Sequence, residues 1–158
     1  MHVVLVEPEI PPNTGNIART CAATHTRLHL VEPLGFKLED RYLRRAGLDY
    51  WPLVDLSVHP HWDALQRALE GAGAGAFHFF TSHGGTRYTD IHYGPDDVLV
   101  FGRESTGIPE PLLSAYRDEW RVIPMGPGVR SLNLSNAVAI AVYEAQRQMG
   151  FPNLARSE

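Results

Sequence analysis

Thiols and ammonium groups are almost absent from this chain, with Cys21 its one cysteine and Lys37 its one lysine. A lone thiol forms no internal disulfide and cannot build a metal site of the multi-cysteine kind. The shortage of lysine leaves arginine as 13 of the 14 basic residues. Arginine suits bidentate phosphate recognition, yet a proteome-wide preference for it would give the same count. The formal net charge is −4, so the basic excess that by itself announces a nucleic acid partner is missing. Long hydrophobic runs are missing as well. The start, MHVVLVEPE, holds four apolar residues in a row and no basic segment. That fits neither a signal peptide nor a membrane anchor, so a cytoplasmic protein with no membrane partner is expected.

The signatures of common nucleotide sites and hydrolases are lacking too. No G-x-G-x-x-G follows the first apolar run and no G-x-x-x-x-G-K-[ST] occurs, so neither a Rossmann dinucleotide site nor a P-loop is supported. No serine sits in G-x-S-x-G. The eight histidines form neither H-E-x-x-H nor a Cys/His ligand pattern. His59-Pro-His61 reads as a turn in preference to a metal site, and no metal is expected.

What is present describes one globular domain. The 158 residues, 44% hydrophobic and 20% charged, are enough for a single core, so one domain over 1–158 is expected. His2 to Glu7 is a valine-rich run that reads as a buried strand, ended by Pro8, Pro11 and Pro12. Asn13 can cap a helix from Thr14 to about Thr24. Arg27 to Val31 alternates as a second strand, Asp40 to Ala46 reads as a short helix stopped at Gly47, and Leu53 to Val58 as an extended piece. His61 to Leu69 puts Trp62, Leu65 and Leu69 on one helical face before the flexible GAGAGA run. Phe77 to Thr81 and Val98 to Phe101 are apolar strands, Pro109 to Tyr116 a short helix, and Arg121 to Pro124 a last strand. Strands separated by helices predict an α/β fold, a mostly parallel sheet with helices on both faces.

In such sheets ligands sit beyond the carboxyl ends of the strands. Three polar loops follow a strand there: Pro8 to Asn16, Gly102 to Gly107, and Met125 to Ser135. In the first, Asn16, Arg19 and Thr20 fall three or four apart and share a helical face. In the second, Gly102 lets a ligand approach the backbone and Glu104 supplies a fixed negative charge. The third runs through Gly126, Pro127 and Gly128 to Arg130, Ser131, Asn133, Ser135 and Asn136. One such residue suffices to cap a helix, and four exceed that need. The helix that follows, through Ala137, Val138, Ile140, Val142 and Met149, is apolar on nearly every side. It is expected to be buried in a core or against a second subunit.

Together these stretches resemble the SPOUT class of RNA methyltransferases, and within it the small stand-alone tRNA 2′-O-methyltransferases. The match lies in N-T-G-N-I-A-R (Asn13 to Arg19), F-G-R-E-S-T-G-I-P (Phe101 to Pro109) and I-P-M-x-x-x-x-R-S-L-N-L-S-N-A-V (Ile123 to Val138). P-E-I-P-P-N-T-G-N and L-R-R-A-G-L-D-Y (Leu43 to Tyr50) look like the subgroup that methylates the wobble nucleotide, position 34, of certain leucine tRNAs. The resemblance implies S-adenosylmethionine as methyl donor, a homodimer, and a C-terminal trefoil knot. Knots are otherwise nearly absent from proteins. It further implies that Phe80, Gly102, Ile123, Ser131 and Leu132 hold the cofactor, and that Arg19, Glu104 and Asn133 lie closest to the RNA or the reacting atoms. Gly126 to Val129 and Arg103 to Thr106 depart mildly from the family pattern, which bears on substrate preference more than on the cofactor.

Methyl transfer from a sulfonium to a ribose hydroxyl needs in-line placement and an outlet for the hydroxyl proton, and it needs no metal. Placement alone can supply about 7 to 11 kcal/mol of barrier reduction. The family's usual proposal makes Arg19 the general base. A guanidinium stays protonated, so stabilising an alkoxide or clamping a phosphate is the physically easier role. The RNA partner is expected to be a tRNA anticodon loop, read single-stranded with its nucleotide splayed out. Arg19, Arg41, Arg44, Arg45 and Arg130 are the candidates for phosphate contact. Another tRNA or ribosomal RNA position, a non-catalytic RNA-binding relative, and a flavodoxin-like nucleotide binder remain as alternatives.

Overall fold

The structure is a computed structural model that describes residues 1–155, with Leu48 described by its backbone alone. The last three residues of the expected 1–158 domain lie outside the described residues. Seven strands form one sheet: β1 (His2–Val6), β2 (Arg27–Val31), β3 (Leu56–His59), β4 (Phe77–Phe80), β5 (Thr86–Arg87), β6 (Val98–Phe101) and β7 (Trp120–Val122). Their order is β3-β2-β1-β6-β4-β7-β5, and every pairing is parallel. The α/β class follows as expected.

Both faces of the sheet are covered, which is why β1 and β6 read as unbroken apolar runs. Val3, Leu5, Leu99 and Phe101 point to one face, where α1 (Pro11–Ala23) and α5 (Leu134–Met149) bring Ile17, Val138 and Ala141 against them. Val4, Val6, Val98 and Val100 point to the other face. There α3 (Trp62–Gly71) and α4 (Glu110–Ser114) contribute Leu65, Leu69 and Leu113. Burying one such aliphatic side chain stabilises by about 1.5–3 kcal/mol. Cys21 lies inside the first layer, and burial pushes its thiol up to about 12, so it is chemically quiet.

Two local expectations are corrected. Helix α1 opens at Pro11 rather than Thr14, and Ile10, not Asn13, is its cap residue. Pro11 and Pro12, two of the three prolines expected to end β1, instead begin α1, because the first helical N–H groups have no partner inside a helix and proline's fixed φ already suits it. The piece expected to be extended over Leu53 to Val58 divides into a 3₁₀ turn, Leu48–Leu53, and the shorter strand β3. Helix α5 buries Val138, Ala141, Val142 and Ala145 in the core, while Ile140 and Tyr143, on the side the expectation leaves to a second subunit, are 37% and 46% exposed in the single chain. His59-Pro-His61 is the turn expected of it: His59 ends β3 and the His61 ring accepts the Ala64 N–H at 3.1 Å to cap α3.

One close approach fixes where the basic helix α2 (Arg41–Gly47) sits. A Cβ on Gly15 would stand 2.5 Å from the Leu43 carbonyl oxygen. Glycine there lets α2, which carries Arg41, Arg44 and Arg45, lie against α1.

Candidate active site

The loops after β1, β6 and β7 meet beyond the carboxyl ends of the strands, where parallel sheets place their ligands. They are tied to each other by side chains. Arg103 donates to Glu7 at 2.7 Å, and the Ser105 N–H and hydroxyl donate to Glu9 at 3.0 and 2.7 Å. These Ser105 bonds hold the Glu9 carboxyl below its usual range. Glu104 accepts the N–H groups of Glu9 and Ile10 at 2.8 and 3.1 Å.

That pairing explains an oddity of α1. Its first two residues are prolines and its first turn holds no acidic side chain. The last free N–H groups before it point at Glu104 instead, so a carboxylate from the loop after β6 serves the positive end of the helix.

A polar chain continues from there to the third motif. Asn13 donates to Glu104 at 3.5 Å and accepts from the Asn133 amide at 3.1 Å. The Asn133 side chain in turn accepts the N–H groups of Ser135 and Asn136 at 2.9 and 3.3 Å, capping α5. Asn13, freed from capping its own helix, becomes the link between the other two motifs. Sequence reasoning missed it by giving it the cap.

Around this chain opens a cavity of about 610 Å³. Phe80, Gly102, Ile123, Ser131 and Leu132, all expected to hold a cofactor, line it together, as do Glu104, Asn133 and Arg130. Phe80 stacks on Phe101 with ring centres 4.8 Å apart and forms an apolar floor. Gly102, besides lining the cavity, serves a second purpose. A Cβ there would meet the Ile108 nitrogen at 2.0 Å, so its bareness lets the 103–107 loop fold back, closed by mutual N–H to carbonyl bonds between Arg103 and Gly107.

Arg19 is not among the lining residues of the cavity. Its guanidinium lies over the Tyr50 ring, 5.2 Å from the centroid, on the exposed side of α1. Arg41, Arg44 and Arg45 stay outside as well, on the exposed side of α2, with Arg41 over Tyr42 and Arg44 over Trp51. Arg103, Arg121 and Arg130 thus line the cavity, whereas Arg19, Arg41 and Arg44 lie over aromatic rings outside it. Among the described residues no group of three or more His, Cys, Asp or Glu side chains could hold a metal ion, and no helix is long and apolar enough to cross a membrane.

Three ordered motifs joined at one cavity are the pattern of a known family. The profile of the SpoU rRNA Methylase family matches residues 1–143. The chain belongs to this family. A tRNA (cytidine(34)-2′-O)-methyltransferase of Burkholderia ambifaria is 52% identical over 151 residues, covering 95% of this chain and 96% of that protein. A solved structure described as giving insights into the 2-OH methylation of C/U34 on tRNA superposes with a TM-score of 0.88. It is 48% identical and covers 94% of this chain and 95% of the other. An AdoMet-bound rRNA methyltransferase from Sinorhizobium meliloti superposes with a TM-score of 0.82 at 25% identity, covering 94% of this chain and 56% of that one.

Within the SpoU family frame, the arrangement can do two things chemically. The cavity offers an apolar floor beside loop polar groups, which suits a small ligand with both an aromatic and a charged part. The outer surface offers fixed arginines and exposed Tyr42 and Tyr50 rings, which suits a single nucleic acid strand.

Proposed function

We propose that this protein transfers a methyl group from S-adenosylmethionine to the ribose 2′-hydroxyl of the wobble nucleotide, cytidine or uridine 34, in tRNA, leucine isoacceptors among them. The observation that carries this reading is the meeting of all three motif loops at one cavity in a chain 52% identical to a protein named for that reaction. The cofactor fits by size and chemistry. A cavity of about 610 Å³ lies within the roughly 300–1,000 Å³ of small-molecule sites, and Phe80, Ile123 and Leu132 offer apolar walls. When bound, S-adenosylmethionine supplies an electrophilic methyl on a sulfonium, so the chain itself need only hold and orient.

Phe80, Gly102, Ile123, Ser131 and Leu132 are the residues that would hold the cofactor. Glu104 and Asn133 would order the loops at its edge and so act closest to the reacting atoms. Arg19 would stabilise charge developing on the ribose oxygen, since its guanidinium keeps its proton. Arg41, Arg44, Arg45 and Arg130 would take phosphates of the anticodon loop. The protein would work as a homodimer in the cytoplasm, without a metal, and its C-terminal part would be threaded as a trefoil knot. The dimer has a functional reason. Arg19 lies outside the cavity of its own chain, and the uncovered side of α5 with Ile140 and Tyr143 gives a second subunit an apolar seat from which to bring its Arg19 near.

The test is labelled methyl transfer to unmodified tRNA followed by mapping of the modified nucleotide. The reading expects a single 2′-O-methyl group at nucleotide 34. Transfer to another tRNA position or to ribosomal RNA would reassign the substrate. Binding of tRNA with no transfer would make the chain a silent relative.

A further inference from the structure

At the cavity wall begins a chain of polar side chains, Arg121 half-buried and His78 and Asp97 buried, that the methyl-transfer reading leaves unused. Arg121 of β7 lines the cavity, and three of its donor bonds are already fixed. Its Nε donates to His78 Nδ1 at 3.1 Å, and its Nη1 donates to the carbonyls of Asp118 and Trp120 at 3.1 and 3.0 Å. A guanidinium is always protonated, so Nε–H must be the donor and His78 Nδ1 must be bare. The imidazole proton therefore sits on Nε2 and is donated to Asp97 at 2.8 Å. This is a bond from a neutral ring to a carboxylate, in keeping with the direction in which burial moves His78, downward. Asp97 is held by the N–H groups of Ala76 and Gly94, both at 3.0 Å, and the Tyr93 ring packs on His78.

A chain of this kind costs desolvation and must order three side chains. Its outer end is a guanidinium at the cavity wall with no carboxylate bonded to it among the described residues. The other arginines of the cavity differ. Arg103 is taken by Glu7 at 2.7 Å, and Arg130 lies exposed on the third loop.

We infer that Arg121 is the oxyanion-binding side chain of this cavity and that His78 and Asp97 are positioning residues for it. The inference rests on the methyltransferase reading. The ligand is a planar or tetrahedral oxyanion, the class that an oriented guanidinium recognises best. It comes from one of two sources: the carboxylate of the cofactor's amino-acid portion, or a phosphate of the RNA. Because the guanidinium is already fixed, little ordering is left to be lost when the anion binds.

The experiment compares three ligands on the wild-type chain and on Arg121→Met: S-adenosylhomocysteine and its decarboxylated analogue by calorimetry, and unmodified tRNA across a salt series. If the anion is the carboxylate, Arg121→Met weakens S-adenosylhomocysteine about 10-fold or more and leaves the analogue nearly unchanged. If it is a phosphate, both small ligands keep their affinity while tRNA binding weakens and its salt slope falls by about one. Equal affinity for all three ligands overturns the inference. So does an equal loss for S-adenosylhomocysteine and its analogue, which would mark a packing defect. Asp97→Asn is the second variant, and it carries the test if Arg121→Met does not fold. Its amide places an N–H against either His78 or a backbone donor, which disturbs the chain with Arg121 still present. It should repeat the ligand discrimination of Arg121→Met to a smaller degree, and uniform weakening of all three ligands would remove the positioning role. A wild-type chain that binds neither S-adenosylhomocysteine nor tRNA would instead refute the methyltransferase reading itself.

Discussion

At the scale of single residues, the polar groups separate into those that shape the cavity and Arg19, which lies outside it. Arg19 rests on Tyr50, a cation–π contact worth about 0.5–1 kcal/mol at an exposed site, so it is oriented without being neutralised. Arg19→Ala should leave S-adenosylhomocysteine affinity unchanged by calorimetry while methyl transfer falls by about 10²–10³-fold, the usual loss when a charge-stabilising donor is removed. Glu104 is the opposite case, a carboxylate spent on the N–H groups of Glu9 and Ile10. Glu104→Ala leaves those donors without a partner and should lower unfolding free energy in urea by about 1–3 kcal/mol, with cofactor affinity falling alongside because the loop edge loosens.

At the scale of elements, much of the fold was legible because each buried strand announces itself as an apolar run and each polar loop follows one. The motif residues Phe80, Gly102, Ile123, Ser131 and Leu132 were legible through resemblance, and they do share one cavity. What could not be read was long-range. Two residues, Thr86 and Arg87, make an edge strand too short to carry a period. The start of α1 was misplaced because prolines punctuate strands and open helices with the same residue, and only the distant Glu104 decides between them. Arg121 looked like the first residue of a strand, since nothing local links it to His78, 43 positions away. Gly102 has a second role that no local pattern carries, because the 103–107 loop folds back against it. Gly102→Ala should push that loop away from the strand end, weakening S-adenosylhomocysteine binding while β6 and the far layer remain folded by circular dichroism.

At the scale of the whole molecule, a row of imidazoles crosses three neighbouring strands on the side away from α5. His2 Nδ1 and His29 Nε2 are 3.0 Å apart, as are His29 Nδ1 and His59 Nε2. Each shared proton needs a donor on one ring and an acceptor on the next, so the row is satisfied by neutral rings. Burial, followed by the nearby positive groups, lowers His2 to about 4 and His29 to about 3. Unfolded histidines bind protons from about pH 6.5 downward while the folded rings resist, so the unfolded state takes up more protons as pH falls. Stability should therefore be complete above pH 6.5 and fall progressively toward pH 4, read from urea midpoints. His29→Asn should shrink that slope even where it lowers stability at neutral pH. The proposed dimer belongs to the same scale, and sedimentation at micromolar concentration should give twice the chain mass.

On the proposed reading, the Arg19 of one chain serves the cavity of the other. Mixing Arg19→Ala with Asn133→Ala chains, each inactive alone, tests this directly. In a mixed dimer the intact cavity of the first chain receives the intact Arg19 of the second, so random reassortment should restore about a quarter of wild-type methyl transfer to nucleotide 34. A mixture as inactive as its two components would contradict the account.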